Sequence, residues 1–206
     1  MVPQRSTLPS LKSGRINRKS KSKNIMHSDL IIQDNFLPKE EFNALREEIM
    51  GRYFPWFFTP EIAFDASLKE ANWPGQLVHM IYDENVPQSP FYKSHLFLTI
   101  LEQLKADVLI RIKLNLRPRL PEPYFSNFHT DILDMEEAGF ANFTTSIFYI
   151  NTNNGYTEFE DSTIVESVEN RLVSFPLNVR HRGVSQTDTQ RRIVINFNYL
   201  KLHENT

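Results

Sequence analysis

Cysteine is absent from the 206 residues of the chain. Its absence excludes disulfide bonds, thiolate-bound metals and a cysteine nucleophile. Any metal site must therefore use histidine, aspartate, glutamate or water, and such ligands suit Zn(II), Fe(II) or Mn(II) rather than soft metals. A chain without cysteine is compatible with an intracellular protein, and we expect a cytoplasmic location.

Long apolar runs are missing as well. No stretch approaches the roughly 18 apolar residues that a membrane-spanning helix needs, and the N-terminus shows no signal-peptide core. We therefore expect no association with a membrane. The rest of the composition is ordinary for one globular domain, with 40% hydrophobic and 23% charged residues and 16 phenylalanines available for a core.

Acidic residues are missing from the first 28 positions, although the whole chain has a formal net charge of −2. This serine- and lysine-rich stretch predicts a basic, disordered tail over 1–27, followed by one folded domain over 28–202. Met26 is a candidate functional start. The tail could also bind nucleic acid or act as a transit peptide, but the acidic remainder does not favour nucleic acid as the main partner. The basic residues of the tail are Arg5, Lys12, Arg15, Arg18, Lys19, Lys21 and Lys23.

Two amphipathic helices are predicted in the N-terminal half. In "DNFLPKEEFNALREEIM" a short strand leads into a helix in which Phe42, Leu45 and Ile49 recur at helical spacing, and Pro38 suits its first turn. A second helix is predicted over 93–107, where apolar residues recur every three or four positions.

The aromatic stretch "FPWFF" lies between these helices. Core packing, or a lid over the core, is the simpler interpretation. The alternative is an aromatic substrate wall formed by Trp56, Phe57 and Phe58.

The hydrophobic period changes to two from residue 108 onward. "VLIRIKLNLRP" alternates apolar residues with charged or polar ones, and seven short β-rich segments follow residue 120, separated by turns such as "NTNNG". Two helices followed by many closely spaced strands predict a mostly β protein with flanking helices. The expected architecture is a double-stranded β-helix (jelly-roll) core backed by the N-terminal helices.

The last predicted strand, "RRIVINFNYL", has two different faces. One face starts with Arg191 and continues with large apolar residues that the helical layer should cover. The other carries Arg192, Val194, Asn196 and Asn198 and should line the interior of the barrel. Because a guanidinium inside a barrel needs an anionic partner, Arg192 is predicted to bind a carboxylate.

A candidate metal site begins at "SNFHTDILD", where His129 and Asp131 would project from one face of an extended strand. This motif is weak alone, because about one such pair is expected by chance. His181, fifty residues after Asp131, lies on a segment expected to neighbour the last strand. Each residue also has a structural explanation as a turn histidine, a loop cap or a polar loop residue. Together, two histidines and one carboxylate suit non-haem Fe(II).

The ordered segments "FHTD", "TTSIFYIN", "NGYTEFED", "NRLVSFPLNVRHRG" and "RIVINFNY" resemble the Fe(II)/2-oxoglutarate-dependent dioxygenases. Within them the chain resembles the prolyl-4-hydroxylase-like branch, especially short versions found in phages and bacteria. The similarity covers residues 120–200 well and the N-terminal half more loosely. It implies that His129, Asp131 and His181 ligate Fe(II) and form the catalytic centre, with 2-oxoglutarate and O2 as cosubstrates.

The resemblance also assigns residues to the cosubstrate. Arg192 would pair with the distal carboxylate of 2-oxoglutarate, although His-to-Arg spacing varies in the family and leaves Arg191 as an alternative. Tyr149 matches a strand tyrosine that often donates a hydrogen bond to the same cosubstrate. Thr157 matches a threonine that usually follows a pair of glycines, Asn196 shares the face of Arg192, and both are also assigned to cosubstrate binding. The chain departs from the family before Thr157, where Asn154-Gly155 replaces the usual pair of glycines.

The implied function is an oxidoreductase that hydroxylates an unidentified substrate while 2-oxoglutarate becomes succinate and CO2. A protein side chain such as prolyl is the favoured substrate. The alternatives are a nucleobase or small metabolite, and a non-enzymatic jelly-roll binding module. A basic ridge of Arg111, Lys113 and Arg117 at the active-site mouth would favour nucleic acid. The phage-like resemblance extends the expected location to the cytoplasm of a phage-infected bacterial cell.

Overall fold

The computed structural model describes residues 30–60, 75–132 and 143–201. The predicted basic tail over 1–27, including Met26, lies outside the described residues. Eleven strands and two α-helices are present in the described part of the chain. In chain order they are β1 (Ile31–Gln33), α1 (Lys39–Met50), β2 (Phe57–Thr59), β3 (Gln76–Asp83), β4 (Val86–Pro87), a 3-10 turn (Pro90–Lys93), α2 (His95–Leu104), β5 (Val108–Pro118), β6 (Phe143–Tyr149), β7 (Tyr156–Phe159), β8 (Ile164–Glu166), β9 (Arg171–Pro176), β10 (His181–Val184) and β11 (Arg191–Leu200).

Both predicted helices are present. Helix α1 buries Phe42, Leu45 and Ile49, and Pro38 occupies its N-cap position, one residue before the first turn. Helix α2 begins after Ser94, whose hydroxyl accepts a hydrogen bond from a backbone N–H of the first turn. No helix of the described residues is long and apolar enough to cross a membrane.

The strands form two antiparallel sheets. The larger sheet has the order β1-β9-β6-β11-β5-β3-β2, with β4 paired to β3, and the smaller one has the order β10-β7-β8. The strand with His181, β10, therefore pairs with β7 and not with β11. The expectation that it neighbours the last strand is wrong, because the segment 185–190 takes the chain from the smaller sheet to the larger one.

The alternation of apolar and polar residues along the strands produces two hydrophobic cores. The apolar face of β11, including Ile193, Ile195 and Phe197, packs with α1 and α2 in the larger core. A second core lies between the two sheets, where Ile147 and Val194 meet side chains of the smaller sheet. The predicted helical layer behind the barrel is thus confirmed.

The polar face of β5 does not point to solvent. Arg111 is 5% exposed and Arg117 is 7% exposed, and together with Lys113 they line a cavity between the sheets. The ridge considered at the active-site mouth is therefore an internal wall of the barrel. This wall pairs along its length with β11.

The aromatic stretch before β3 is divided between core and surface. Phe54 is buried, and Trp56 packs against the larger core. Phe57 and Phe58 are exposed. None of the three proposed wall residues lines the cavity between the sheets, so the interpretation as a substrate wall gains no support.

Phe148 on β6 joins the sheet to the helical layer. Its ring is fully buried and makes edge contacts with Phe36 at 5.4 Å and Phe42 at 6.0 Å between ring centroids. We expect Phe148→Ala to lower the free energy of unfolding by about 3–5 kcal/mol, because it removes a large side chain and leaves a cavity. Urea denaturation would measure this change. The control is Phe57→Ala at a 61% exposed position, and an equal loss in both variants would contradict the expectation.

Candidate metal centre and its cavity

The predicted metal ligands converge. One ligating atom from each of His129, Asp131 and His181 lies within 4.8 Å of the other two, although the residues come from distant parts of the sequence. The two histidines exchange backbone hydrogen bonds in both directions at 3.0 Å. This isolated antiparallel bridge holds His129 beside β10. The segment around His129 is therefore not the regular strand that was predicted.

Both imidazoles are oriented by backbone carbonyls. Nδ1 of His129 lies 3.0 Å from the carbonyl oxygen of Asn127, and Nδ1 of His181 lies 3.2 Å from that of Val179. A carbonyl can only accept, so each Nδ1 carries the hydrogen and each Nε2 keeps its lone pair. Desolvation, and then the nearby His181, lower the pKa of His129 to about 4. A neutral imidazole with a free Nε2 is the form that binds a divalent metal.

Asp131 is held by three side chains of the larger sheet. Nη2 of Arg111 lies 3.4 Å from Oδ1, and Nδ2 of Asn198 donates to Oδ2 at 3.0 Å. Nδ2 of Asn196 reaches both oxygens at 3.4 Å. Burial opposes ionisation, but the Arg111 guanidinium, both histidines and Asn198 together hold the pKa of Asp131 well below its usual range. The carboxylate is therefore charged and aimed at the histidines.

Sequence reasoning missed Arg111 and Asn198 as supports of this carboxylate. Nε of Arg111 also donates to Oδ1 of Asn198 at 3.1 Å, so the two residues and Asp131 form a closed network. The alternation of polar and apolar residues along β5 and β11 could have indicated this network. Arg111 and Asn198 are direct partners in the strand register, and both share the polar face with Arg192.

Arg192 lies inside the cavity, as its strand position predicted. It is 4% exposed, its Nε donates to Ser167 at 2.9 Å and its Nη2 donates to Thr157 at 3.3 Å. Among the described residues no carboxylate forms an ion pair with it, and burial lowers its pKa. Arg191 points the other way, where its Nη2 donates to the carbonyl of Met50 at the end of α1.

Tyr149 and Thr157 lie next to Arg192. The Tyr149 hydroxyl donates to Thr157 Oγ1 at 2.8 Å, and the Arg192 guanidinium lies 5.6 Å from the centre of the Tyr149 ring. Burial raises the pKa of Tyr149, so its hydroxyl stays protonated. These neutral groups orient the guanidinium without neutralising it, which leaves its charge for an anion.

Asn154, which stands where the family usually has a glycine, does not disturb the structure around Arg192. Asn154 is not among the residues with positive φ, and its side chain bonds to Thr187 in both directions at 2.8 Å. Gly155 is the position that requires glycine. A Cβ there would lie 2.8 Å from the carbonyl oxygen of Val184 and 2.9 Å from Cδ of Arg192. Gly155 therefore makes room for the buried arginine.

Asn196 lines the cavity between the metal centre and Arg192. Its Oδ1 is buried and has no hydrogen-bond partner among the described residues. Because carboxylates only accept hydrogen bonds, Oδ1 cannot serve 2-oxoglutarate. The predicted role of Asn196 in cosubstrate binding would depend on its Nδ2, which also reaches Asp131.

Comparison with known proteins identifies the fold. No family model matches the sequence, and no curated protein matches it at the sequence level. Solved structures do match. The chain is similar to a prolyl hydroxylase from Trichoplax adhaerens in complex with a hypoxia inducible factor oxygen degradation domain peptide fragment, with 14% identity, a TM-score of 0.56 and coverage of 84% of each chain.

Two further structures share the fold. The viral collagen prolyl hydroxylase vCPH from Paramecium Bursaria Chlorella virus-1, in its 2-oxoglutarate complex, has 12% identity and a TM-score of 0.51, with coverage of 85% of this chain and 97% of that chain. HygX from Streptomyces hygroscopicus, with nickel and 2-oxoglutarate bound, has 10% identity and a TM-score of 0.53, with coverage of 84% and 83%. The chain thus has the jelly-roll fold of the prolyl hydroxylases and other 2-oxoglutarate oxygenases, which confirms the predicted fold class.

Proposed function

We propose that the chain is an Fe(II)/2-oxoglutarate-dependent dioxygenase that hydroxylates its substrate. The convergence of two histidines and one carboxylate within 4.8 Å, in a cavity that also holds a buried arginine, supports this proposal most. Arg192 and Asn196 are four residues apart on one face of β11, about 13 Å along the strand. A small dicarboxylate can therefore lie between the arginine and the metal centre.

The donor set fits Fe(II). Two neutral imidazoles and one carboxylate occupy one side of a metal and leave its other positions open. In this proposal His129, Asp131 and His181 would hold the metal, and Arg192 would pair with the distal carboxylate of 2-oxoglutarate beside Tyr149 and Thr157. Bound Fe(II), 2-oxoglutarate and O2 would supply the oxidation of a C–H to a C–OH group, with release of succinate and CO2.

The side chains of the cavity would contribute orientation and charge compensation. Arg111 and Asn198 fix the direction of the Asp131 carboxylate. Ile147 and Val194 give the same cavity an apolar part. A preorganised site of low polarity strengthens each electrostatic contact that it makes.

The proposal has two forms, which differ in the substrate. In the first form, the substrate is a protein side chain such as prolyl. The peptide bound to the Trichoplax adhaerens enzyme supports it, as does the likeness to vCPH. A small metabolite is the second form, and the cationic wall formed by β5 favours it. Both forms include a cytoplasmic location, with which the absence of cysteine is compatible.

Anaerobic titration with Fe(II) and 2-oxoglutarate tests the proposal. The full chain is expected to show a weak visible charge-transfer band that saturates with both ligands, and to form succinate when O2 is admitted. A Pro-containing peptide that raises succinate formation above the substrate-free rate would support the first form. If neither Fe(II) nor 2-oxoglutarate binds measurably, the chain is not an oxygenase, and a non-enzymatic jelly-roll module becomes the better interpretation.

A further inference from the structure

Two isolated antiparallel bridges join the segment 125–129 to β10. One bridge pairs Phe125 with Val184, and the other pairs His129 with His181. Four steps along the segment therefore correspond to three steps along β10, so the segment contains one residue more than the strand beside it. An extra residue on one strand of an antiparallel pair is a β-bulge, a feature that often re-aims a side chain next to an active site.

The bulge changes the direction of the side chains at its two ends relative to each other. In a regular strand, residues four positions apart face the same side. Here Phe125 is 49% exposed, whereas His129 lines the cavity between the sheets. The inward direction of the imidazole thus depends on the bulge, because a slip of one residue along β10 would turn it to the other side.

Arg182 contacts the bulged segment from the outer side of β10, since it follows the inward-facing His181 in the strand. Its guanidinium carbon lies 5.1 Å from the centre of the Phe125 ring and 4.4 Å from that of Phe128. Both distances are within the roughly 6 Å over which a cation is attracted to an aromatic face. Residues three positions apart would lie on opposite faces of a regular strand, so the bulged register is what brings both rings to one guanidinium.

Glu158 on β7 fixes Arg182 to the smaller sheet. Nε and Nη2 of Arg182 each lie 2.8 Å from Oε2 of Glu158, and the two residues are direct partners in the strand register. Their side chains are 24% and 17% exposed, so solvent and salt screen this pair less than an ion pair at the surface. Nη2 of Arg180 also donates to the carbonyl of Phe128 at 2.7 Å. The residue directly before His129 is therefore held by its ring and by its backbone.

We infer that Arg182 is a positioning residue for the proposed metal centre, which holds the bulged register of the segment 125–129 and thereby directs the imidazole of His129 into the cavity. This inference rests on the proposed function, because it concerns His129 as a metal ligand. Arg182 is not one of the described residues that line the cavity. It therefore acts on the metal through His129 and not by direct contact.

Fe(II) affinity is the first measurement, made by anaerobic calorimetry on the full chain without 2-oxoglutarate. Arg182→Met removes the charge and the hydrogen bonds but keeps an unbranched side chain. It is expected to weaken Fe(II) binding at least about tenfold, because the loss of an outer support of a metal ligand costs about 10–100-fold in affinity. Glu158→Gln keeps the shape of the partner without its charge, and is expected to weaken binding about threefold.

The number of coordinated imidazoles is the second measurement. Pulsed EPR of bound Cu(II) counts them through their remote ring nitrogens. The wild-type chain is expected to show two, and His129→Ala one. Arg182→Met is expected to show a population with only one, whereas a residue that merely stabilises the fold would leave the count at two.

Arg46→Met is the matched control, because Arg46 makes the same two kinds of contact elsewhere in the chain. Its Nη1 lies 2.8 Å from Oε2 of Glu169, and its guanidinium lies 5.5 Å from the centre of the Phe42 ring. This variant is expected to bind Fe(II) like the wild type and to keep two imidazoles, whatever stability it loses in urea denaturation.

The inference is overturned if Arg182→Met keeps both imidazoles throughout, whether or not its Fe(II) affinity falls, or if Arg46→Met loses as much affinity. Should Arg182→Met fail to fold, unchanged Fe(II) binding in Glu158→Gln would overturn it. All of these outcomes leave the proposed function intact. A wild-type chain that does not bind Fe(II) would instead remove the proposed function itself, so the two failures are distinguishable.

Discussion

Replacing His129 with alanine is expected to lower Fe(II) affinity by more than about 100-fold and to abolish 2-oxoglutarate-dependent succinate formation. Even the loss of an outer hydrogen-bond partner of a metal ligand costs about 10–100-fold in affinity, and this substitution removes a ligand itself. Asp131→Ala should have the same effect on the metal because it removes the anionic ligand. The two variants should differ in stability.

The difference in stability comes from Arg111. In Asp131→Ala its guanidinium, 5% exposed, loses the carboxylate at 3.4 Å. Breaking a buried ion pair by removing one partner costs about 3–5 kcal/mol. His129→Ala leaves this pair in place and should unfold at nearly the wild-type denaturant concentration.

The charge-transfer band in an anaerobic Fe(II) and 2-oxoglutarate titration measures the metal effect, and urea denaturation without metal measures the stability effect. His95→Ala is the matched control, since His95 is an exposed residue at the start of α2. A His129→Ala variant that keeps the band, or a His95→Ala variant that loses it, would refute the assigned ligand set.

Arg192→Ala is expected to weaken 2-oxoglutarate binding by about 100-fold or more, while Arg191→Ala changes it less than about threefold. Truncating one partner of a buried, hydrogen-bonded charge pair costs about 2–5 kcal/mol, and Arg192 is 4% exposed with only neutral hydrogen-bond acceptors among the described residues. Arg191 contacts the carbonyl of Met50 instead. Its loss should cost about 1 kcal/mol of stability.

Calorimetric titration of the metal-loaded variants with 2-oxoglutarate measures both affinities. Because the two arginines are adjacent and carry the same charge, the pair controls for any general electrostatic effect of losing one cation. The reverse order of effects would mean that the cosubstrate lies outside the cavity, and would overturn the assignment of Arg192.

The alternation along β11 predicted the facing of its side chains correctly. A period of two leaves little freedom once a strand has one apolar face, so Arg192 and Asn196 had to lie opposite Ile193 and Ile195. The same logic applied to β5 predicted the apolar face but not what covers the polar one. Sequence alone does not distinguish a charged face in water from a charged face that lines an internal cavity.

Long-range pairing was the part that could not be predicted. His181 was expected beside the last strand because the two are close in sequence, yet β10 belongs to the other sheet. The segment with His129 was expected to be a strand, but it is held by a single bridge to His181. Strand β3 escaped prediction because both of its faces contain apolar residues, among them Ile81, Val78 and Met80.

The sequence by itself determined the helical layer, the three side chains that converge at the candidate metal centre and the face of the last strand that carries the arginine, because hydrophobic periodicity and residue chemistry are local properties. Only the tertiary structure decided that β10 and β11 lie in different sheets, that Arg111 and Asn198 brace Asp131, and that the basic face of β5 is turned inward. These are consequences of contacts between residues far apart in the chain, which depend on how the two sheets close around the space between them.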